Sequence, residues 1–185
     1  MNARKSRTDW LDLALSELSA KGPDALKLEA ICEAAGLTKG SFYHHFTNHA
    51  SFLIACAEHW EVVQTDTLLD RFDMDDPDIE GLFRQIDHLA SRLDGPLEIS
   101  IRELARRVPE VADIVRATDE KRLSVGTKMY QKRYDAPEAL ARQIAALDYA
   151  AYSGSILMNP DMTHDDHTRL AELFRAMADD FLSGR

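Results

Sequence analysis

The spacing of apolar residues is helical along almost the whole chain. From Leu11 to Leu18, apolar side chains recur at the three- and four-residue intervals that place them on one helix face. Ser6 and Asp9 have the spacing of a capping box, so a first helix is predicted from Arg7 to Ala20. Alternation of apolar and polar residues, the pattern of a half-buried strand, is nearly absent, which favours an all-α fold.

Shorter segments follow the first helix. A second helix closes at Gly36, a residue suited to the left-handed conformation that ends many helices. Thr38 is placed to cap a short third helix, Lys39 to Phe46, and Asn48 to cap a long fourth one. These elements predict a three-helix head at residues 1–49 that runs into the fourth helix.

The remaining residues, 50–185, are predicted to form a helical body. The acidic stretch from Phe72 to Asp78 interrupts the helical pattern and indicates a connector, and three later prolines fall where helices begin. Thr163, with acidic residues in the turn after it, begins the last helix. The predicted body helices are roughly 78–93, 96–107, 109–134, 137–157 and 163–183.

The composition is that of an ordinary soluble domain, with 45% hydrophobic and 29% charged residues. The sequence has neither the ~20-residue apolar run of a membrane span nor the apolar stretch of a secretory signal. A cytoplasmic protein without membrane contact is therefore expected. Cys32 and Cys56 each lie in an apolar helical stripe, so they are expected in the core and not in a disulfide.

The formal net charge of −10, taken alone, argues against a polyanionic partner. Residues 1–49, however, carry six basic and six acidic side chains, so the whole deficit lies in the body. Charges more than ~8 Å apart across solvent are largely screened at physiological salt. An acidic body therefore leaves the head free to bind nucleic acid.

The segment from Leu28 to Phe46 has the arrangement of a helix-turn-helix, two short helices joined by a turn with glycine. Phe42 and Phe46 are spaced to pack on the preceding helix and so fix the angle at which the second helix enters the major groove. Its other positions carry small, basic and hydrogen-bonding side chains that suit base edges and phosphates. These positions are Thr38, Lys39, Gly40, Ser41, Tyr43 and His44. Such helix pairs also serve as plain packing units, so the pattern alone leaves DNA binding open.

The run AAGLTKGSFYHHF resembles the N-terminal DNA-binding region of TetR-family transcriptional regulators. The resemblance covers about the first quarter of the chain. It implies a helix-turn-helix head on a C-terminal helical bundle that dimerises. The resemblance also implies that Thr38 and the start of the fourth helix lie near phosphates and that five residues face DNA, namely Lys39, Gly40, Ser41, Tyr43 and His44. The implied function is a sequence-specific transcriptional regulator, a repressor released by a small molecule, whose operator, effector and sign of regulation stay open.

Two positions depart from the family pattern. Lys27 stands where Ser or Thr commonly caps the second helix, so the cap is lost while the side chain can still reach a phosphate. His49 stands where Lys is common, and a neutral imidazole donates a hydrogen bond to phosphate without a full charge. Both are predicted to contact DNA, and His49→Lys or acidification is expected to tighten binding.

A homodimer is expected because a helix-turn-helix reads a palindromic, two-fold symmetric operator in double-stranded DNA. Apolar and small residues recur along the last two predicted helices, where the resemblance places the dimer bundle. The same stripes fit packing within the chain's own core. The predicted interface residues are Ile144, Leu147, Ala151, Gly154, Met158, Leu170, Phe174, Met177 and Phe181.

The resemblance also implies a cavity for a small-molecule effector among the body helices. Aromatic and soft side chains are candidates for its lining, although such residues more often form core. The candidates are Trp60, Phe83, Met129, Tyr130, Tyr149 and Tyr152. No cofactor is expected.

Two other classes of function remain open: a helical-bundle enzyme or ligand carrier with a degenerate head, and an adaptor that binds proteins through its acidic body. The chain has no nucleophile elbow, phosphate loop or dinucleotide fingerprint, so an enzyme is not expected. His45 and His49 are four residues apart, but Thr47 and Asn48 interrupt the helix between them, so no metal site is expected.

Overall fold

The computed structural model describes residues 5–159 and 162–183, with Ser183 described by its backbone alone, and these residues form helices without strands. The predicted all-α class is therefore confirmed. The predicted head also includes residues 1–4, which lie outside the described residues. The α-helices are α1 (Arg7–Lys21), α2 (Leu28–Ala35), α3 (Lys39–Tyr43), α4 (His49–Glu61), α5 (Ile79–Ala90), α6 (Gly95–Ala105), α7 (Pro109–Tyr134), α8 (Glu138–Met158) and α9 (His164–Ser183).

Most helix ends lie within a few residues of their predicted positions because local capping groups fix them. Ser6 and Asp9 form the capping box of α1: the Asp9 N–H donates to Ser6 Oγ at 3.1 Å and the Ser6 N–H to Asp9 Oδ2 at 2.7 Å. Thr163 caps the start of α9, because its Oγ1 accepts the Asp166 N–H at 3.3 Å. Lys27 provides no side-chain cap for α2, as its sequence position predicts.

The fourth helix is not the uninterrupted helix that the sequence predicts. Regular α-geometry ends at Glu61, Val62–Asp66 form a π-helical turn, and Thr67–Leu69 return to α-geometry. Apolar spacing continues through Val63 and does not reveal the change. A π-turn uses i→i+5 hydrogen bonds and accommodates an extra residue in the turn.

The chain forms two compact units. Unit 1 contains the described residues through Thr67 together with Pro96–Thr118, and unit 2 contains Leu68–Gly95 together with the described residues from Asp119 onward. The predicted boundary between residues 49 and 50 separates a DNA-binding from a ligand-binding part. Because that boundary concerns function, it stays a prediction.

The core of unit 1 is built around large aromatic side chains. Trp10, Phe42, Phe52 and Trp60 are completely buried in one cluster. Cys32 and Cys56 are free thiols in the same cluster, which confirms that they are core residues. Burial raises the pKa of both thiols, that of Cys56 strongly.

Unit 2 has a separate core where α5, α7, α8 and α9 contribute apolar side chains. Phe83, Met129, Tyr130 and Ala141 lie at its centre with at most 3% exposure. None of the helices in the described ranges is long and apolar enough to cross a membrane.

Candidate functional site

The turn between α2 and α3 depends on Gly36. Its φ of 65° and ψ of 29° lie in the left-handed region, where a side chain would be strained. This conformation allows the Leu37 N–H to donate to the Cys32 carbonyl at 3.0 Å. The Thr38 Oγ1 then accepts the Ser41 N–H at 3.3 Å and starts α3. The helix-turn-helix is thus present at the predicted residues.

The inner face of α3 is fixed by Phe42, which is completely buried. Its ring centroid lies 5.7 Å from that of Trp10 on α1 and 5.1 Å from that of Phe52 on α4, both in edge-to-face geometry. Phe46 lies at 5.1 Å on the same side. Since rings from α1, α4 and the segment after α3 surround Phe42, this side of α3 faces the core and its opposite side is directed outward.

The outward face of α3 carries the residues predicted to contact DNA. Ser41 is half-buried, whereas the other five are exposed. Tyr43 is 50% exposed and rests edge-on against Phe42, with 5.4 Å between the ring centroids. Their contact with DNA stays a prediction. The exposed residues are Thr38, Lys39, Gly40, Tyr43 and His44.

Gly40 is not required by the fold. A Cβ atom at this position would meet Thr38 Oγ1 at 3.6 Å, an ordinary van der Waals distance, and Gly40 is not among the positive-φ glycines. Glycine in a helix costs roughly 1 kcal/mol relative to alanine. A glycine without a conformational role on an exposed helix face fits close approach by a partner.

The lysines predicted to approach DNA are paired with carboxylates within the protein. Lys39 Nζ lies 2.5 Å from Glu29 Oε1, and Lys27 Nζ lies 3.3 Å from Asp24 Oδ1. Asp24 also accepts a hydrogen bond from Arg107 Nη1 at 3.2 Å. The head therefore offers less free positive charge than its lysines suggest.

His49 is half-buried, and its Nε2 lies 2.7 Å from the Leu26 carbonyl oxygen. A carbonyl only accepts, so this nitrogen must carry a proton and donate it. A neutral imidazole has a single N–H, which here is already used within the protein. The predicted hydrogen bond from His49 to phosphate therefore needs the doubly protonated ring, a correction to the neutral donor expected from the sequence.

The six residues predicted to line an effector cavity are divided between the units. Trp60 belongs to the core of unit 1, where its Nε1–H donates to Glu98 Oε1 at 3.1 Å. Phe83, Met129 and Tyr130 are core residues of unit 2. Tyr149 and Tyr152 are half-buried in unit 2, and the Tyr149 hydroxyl donates to Asp119 Oδ1 at 2.7 Å.

A pocket of about 280 Å³ lies elsewhere in unit 2, around the connection between α7 and α8. The Tyr134 hydroxyl in its wall donates to Asp179 Oδ1 at 2.6 Å. Burial, then this hydrogen bond, raises the pKa of Tyr134 to about 12. None of the six predicted residues lines this pocket. The lining residues are Tyr134, Asp135, Ala136, Pro137, Leu140, Asp179 and Leu182.

Sequence reasoning missed a buried polar cluster in unit 2. Arg175 binds Asp87 through two hydrogen bonds of 3.0 and 2.5 Å, and both side chains are nearly buried. The Tyr130 hydroxyl donates to Asp148 Oδ2 at 2.8 Å. Burial raises the pKa of Asp148 to about 6, and the same cause raises that of Asp87. The available signal was the position of Arg175 between Phe174 and Ala178 on the inward stripe of α9.

The outer faces of α8 and α9 expose large apolar side chains on successive turns. Met158 is 85% and Met177 63% exposed, and Leu147 and Phe181 are exposed as well. Ala151, Gly154 and Leu170 are half-buried. Leu157 and Leu173 are exposed in the same helices.

Two predicted interface residues differ from this pattern. Ile144 is 6% exposed in the core of unit 2, and Phe174 packs against that core. Their side chains already have apolar neighbours within the chain. Their place in a dimer interface stays a prediction, as it does for the other seven residues.

Comparison with known proteins gives one family match. Residues 11–56 match the family model described as bacterial regulatory proteins, tetR family. This range covers α2 and α3 with most of α1 and the first half of α4. No protein of curated function matches the chain significantly.

Three solved structures with the same fold are distant from this chain in sequence. A transcriptional regulator from Rhodococcus sp. Rha1 has a TM-score of 0.79 at 17% identity, with 95% of this chain and 97% of that chain covered. SmeT, the repressor of a Stenotrophomonas maltophilia multidrug efflux pump, has a TM-score of 0.67 at 21% identity, covering 97% and 91%. FadR from Bacillus subtilis in complex with stearoyl-CoA has a TM-score of 0.55 at 14% identity, covering 91% and 97%. At these identities the likeness shows the fold.

Proposed function

We propose, on the premise that this chain is a member of the tetR family of bacterial regulatory proteins, that it binds a palindromic operator as a homodimer and represses transcription until a small molecule releases it. DNA-binding regulation of transcription follows from the family match. The operator, the dimer, repression and the effector are the proposed parts.

The exposed face of α3 is the observation that carries the proposal. Phe42 turns this face outward, and Gly40 leaves room there that the fold does not use. A major groove is ~12 Å wide and admits one helix, so small residues at the start of α3 bring its backbone near the base edges. Lys39, Tyr43 and His44 then supply hydrogen-bond donors on either side.

The outer faces of α8 and α9 support the homodimer. Leu147, Met158, Leu173 and Met177 expose apolar surface that a second copy would cover. A two-fold pair presents two α3 helices, as half-sites ~34 Å apart require. Each protomer alone would bind only half of a palindrome.

Repression relieved by a ligand is supported by the distant structural relatives. SmeT is a repressor, and FadR was solved with stearoyl-CoA bound. For this chain, an effector acts only if it binds the DNA-competent and the released conformations with different affinity. Tyr149 and Tyr152 are the predicted lining residues that are not fully buried.

The test begins with a random pool of DNA duplexes, from which the protein selects its operator, and continues with DNA from upstream of its own gene. Lys39→Ala combined with Tyr43→Ala should abolish the selective shift while size-exclusion chromatography still shows the wild-type dimer. Affinity should fall steeply with rising salt.

Gly40→Ala separates DNA contact from folding. It should keep or raise the melting temperature, because alanine favours the helix, yet weaken operator binding roughly tenfold, the equivalent of one base contact. A protein that selects no sequence from the pool, or a Gly40→Ala variant with unchanged operator affinity, would contradict the proposed interface.

A further inference from the structure

Lys39, the basic residue on the outward face of α3, is held by a carboxylate of the neighbouring helix. Its Nζ lies 2.5 Å from Oε1 of Glu29 in the first turn of α2. Both side chains are more than half exposed. The contact joins the two helices of the helix-turn-helix at the surface predicted to meet DNA, and it neutralises a charge there.

We propose that Glu29 is a positioning residue for sequence recognition. It orients the Lys39 ammonium group toward a base edge and neutralises the charge that Lys39 would otherwise offer to the phosphates. The pair therefore raises discrimination between operator and random DNA. This inference rests on the proposed function. It adds a residue that contributes to specificity from α2, outside the α3 face.

The donor chemistry of lysine permits this role. An ammonium group has three N–H donors, and Glu29 uses one of them. The remaining donors can still reach guanine O6 or N7. Base contact therefore needs the position of Lys39 more than its net charge.

Binding to phosphates follows a different rule. Affinity for random DNA comes mainly from lysine and arginine charges that release counterions from the phosphates. A lysine paired with a carboxylate contributes little to this release, and the carboxylate itself repels phosphate. The pair therefore weakens binding to random DNA more than it weakens binding to a matched operator.

Both partners are charged at neutral pH. The hydrogen bond from Lys39 lowers the pKa of the Glu29 carboxyl, and the same bond raises the pKa of the Lys39 ammonium. Exposed ion pairs of this kind contribute little to folding, so the pair can be removed without unfolding the head.

The test compares Glu29→Gln with Glu33→Gln. Glu33 is an exposed residue four positions further along α2 and is not the partner of Lys39. Its variant makes the same change in net charge without removing the ion pair. Affinities for the selected operator and for a shuffled duplex are measured by fluorescence anisotropy at several salt concentrations. Thermal melting checks that each variant is folded.

Glu29→Gln should tighten binding to the shuffled duplex by up to about fivefold for each head that contacts DNA, the effect of one unit charge at ~4 Å in water. Its plot of log affinity against log salt should steepen by about one for each head that contacts DNA. Operator affinity should rise less, so the operator-to-shuffled ratio falls. Glu33→Gln should change both affinities by the same, smaller factor.

A third variant tests whether Glu29 acts through Lys39. In a Lys39→Gln background, adding Glu29→Gln should change the operator-to-shuffled ratio no more than adding Glu33→Gln does. If Glu29→Gln matches Glu33→Gln in the wild-type background, the positioning role is refuted while the proposed function stands. If the wild-type protein selects no operator, the proposed function fails and this inference fails with it.

Discussion

The ion pair between Asp87 and Arg175 gives the sharpest test of how unit 2 is stabilised. The side chains are 13% and 11% exposed, and the Arg175 guanidinium also lies 5.4 Å from the centre of the Phe83 ring. Arg175→Met keeps an unbranched stem in place and removes the charge. Asp87 is then a buried carboxylate without its counter-charge.

Removing one partner of a buried pair costs about 3–5 kcal/mol in the free energy of unfolding. The low end applies here because roughly a tenth of each side chain still meets water, so about 3 kcal/mol is expected. That is a large fraction of the ~5–15 kcal/mol by which domains are stable. Asp87→Asn with Arg175→Met removes both charges and should recover at least 1 kcal/mol of the loss.

The loss should also depend on pH. Burial raises the pKa of Asp87 in the folded protein, and Arg175 opposes that rise. Without Arg175 the folded-state pKa rises further above the unfolded value of ~3.9, so stability falls as pH increases through this window. The cost of Arg175→Met should therefore be largest near pH 8 and smallest near pH 4.

The assay is urea denaturation followed by two signals. Both tryptophans of the chain, Trp10 and Trp60, belong to unit 1, so fluorescence follows that unit. Far-ultraviolet circular dichroism follows the helices of both units. A cost below about 1 kcal/mol by circular dichroism, or a double variant as unstable as Arg175→Met, would refute the reasoning.

Three further outcomes follow from single contacts. Asp148→Asn should stabilise unit 2 by about 1–3 kcal/mol at pH 8 and by almost nothing near pH 4, because burial raises the pKa of Asp148 to about 6 in the folded state. Urea denaturation at a series of pH values measures this difference. A variant with the same pH dependence of stability as the wild type would contradict it. His49→Lys removes the hydrogen bond to the Leu26 carbonyl and should lower the free energy of unfolding by about 1 kcal/mol, measured by tryptophan fluorescence. The same variant should bind the operator more tightly. Unchanged operator affinity and an unchanged salt slope would disprove a phosphate contact at this position. Met177→Arg should make the protein monomeric, as measured by light scattering, whereas the control variant Glu172→Arg on the same helix should remain a dimer. If Met177→Arg also remains a dimer, that face of α9 is not the dimer interface.

Local patterns predicted the helices and their caps well because those features depend on neighbouring residues. Ser6 with Asp9, Gly36, and Thr163 with Asp166 each act within a few positions of the chain. The same reasoning identified the helix-turn-helix and the buried role of Phe42. The π-turn at Val62–Asp66 was missed because the apolar spacing around it stays helical.

Contacts between residues far apart in the chain could not be predicted from local sequence patterns. Asp87 and Arg175 are 88 residues apart, and each alone looks like an ordinary surface charge. His49 meets the Leu26 carbonyl only because the chain between them brings the start of α4 back to the 3₁₀ turn formed by Pro23–Leu26. Aromatic residues predicted for a cavity, such as Trp60, are buried in core clusters, and composition does not distinguish a filled from an empty interior.

The burial of both native thiols has a practical consequence for reporter chemistry. Cys32 and Cys56 are 6% and 0% exposed, and burial holds their thiols in the unreactive protonated form. A maleimide dye should therefore spare them in the folded protein and attach to a single introduced cysteine. Tyr43→Cys would place such a dye on the outward face of α3, and Met177→Cys on the apolar face of α9, without first removing either native residue.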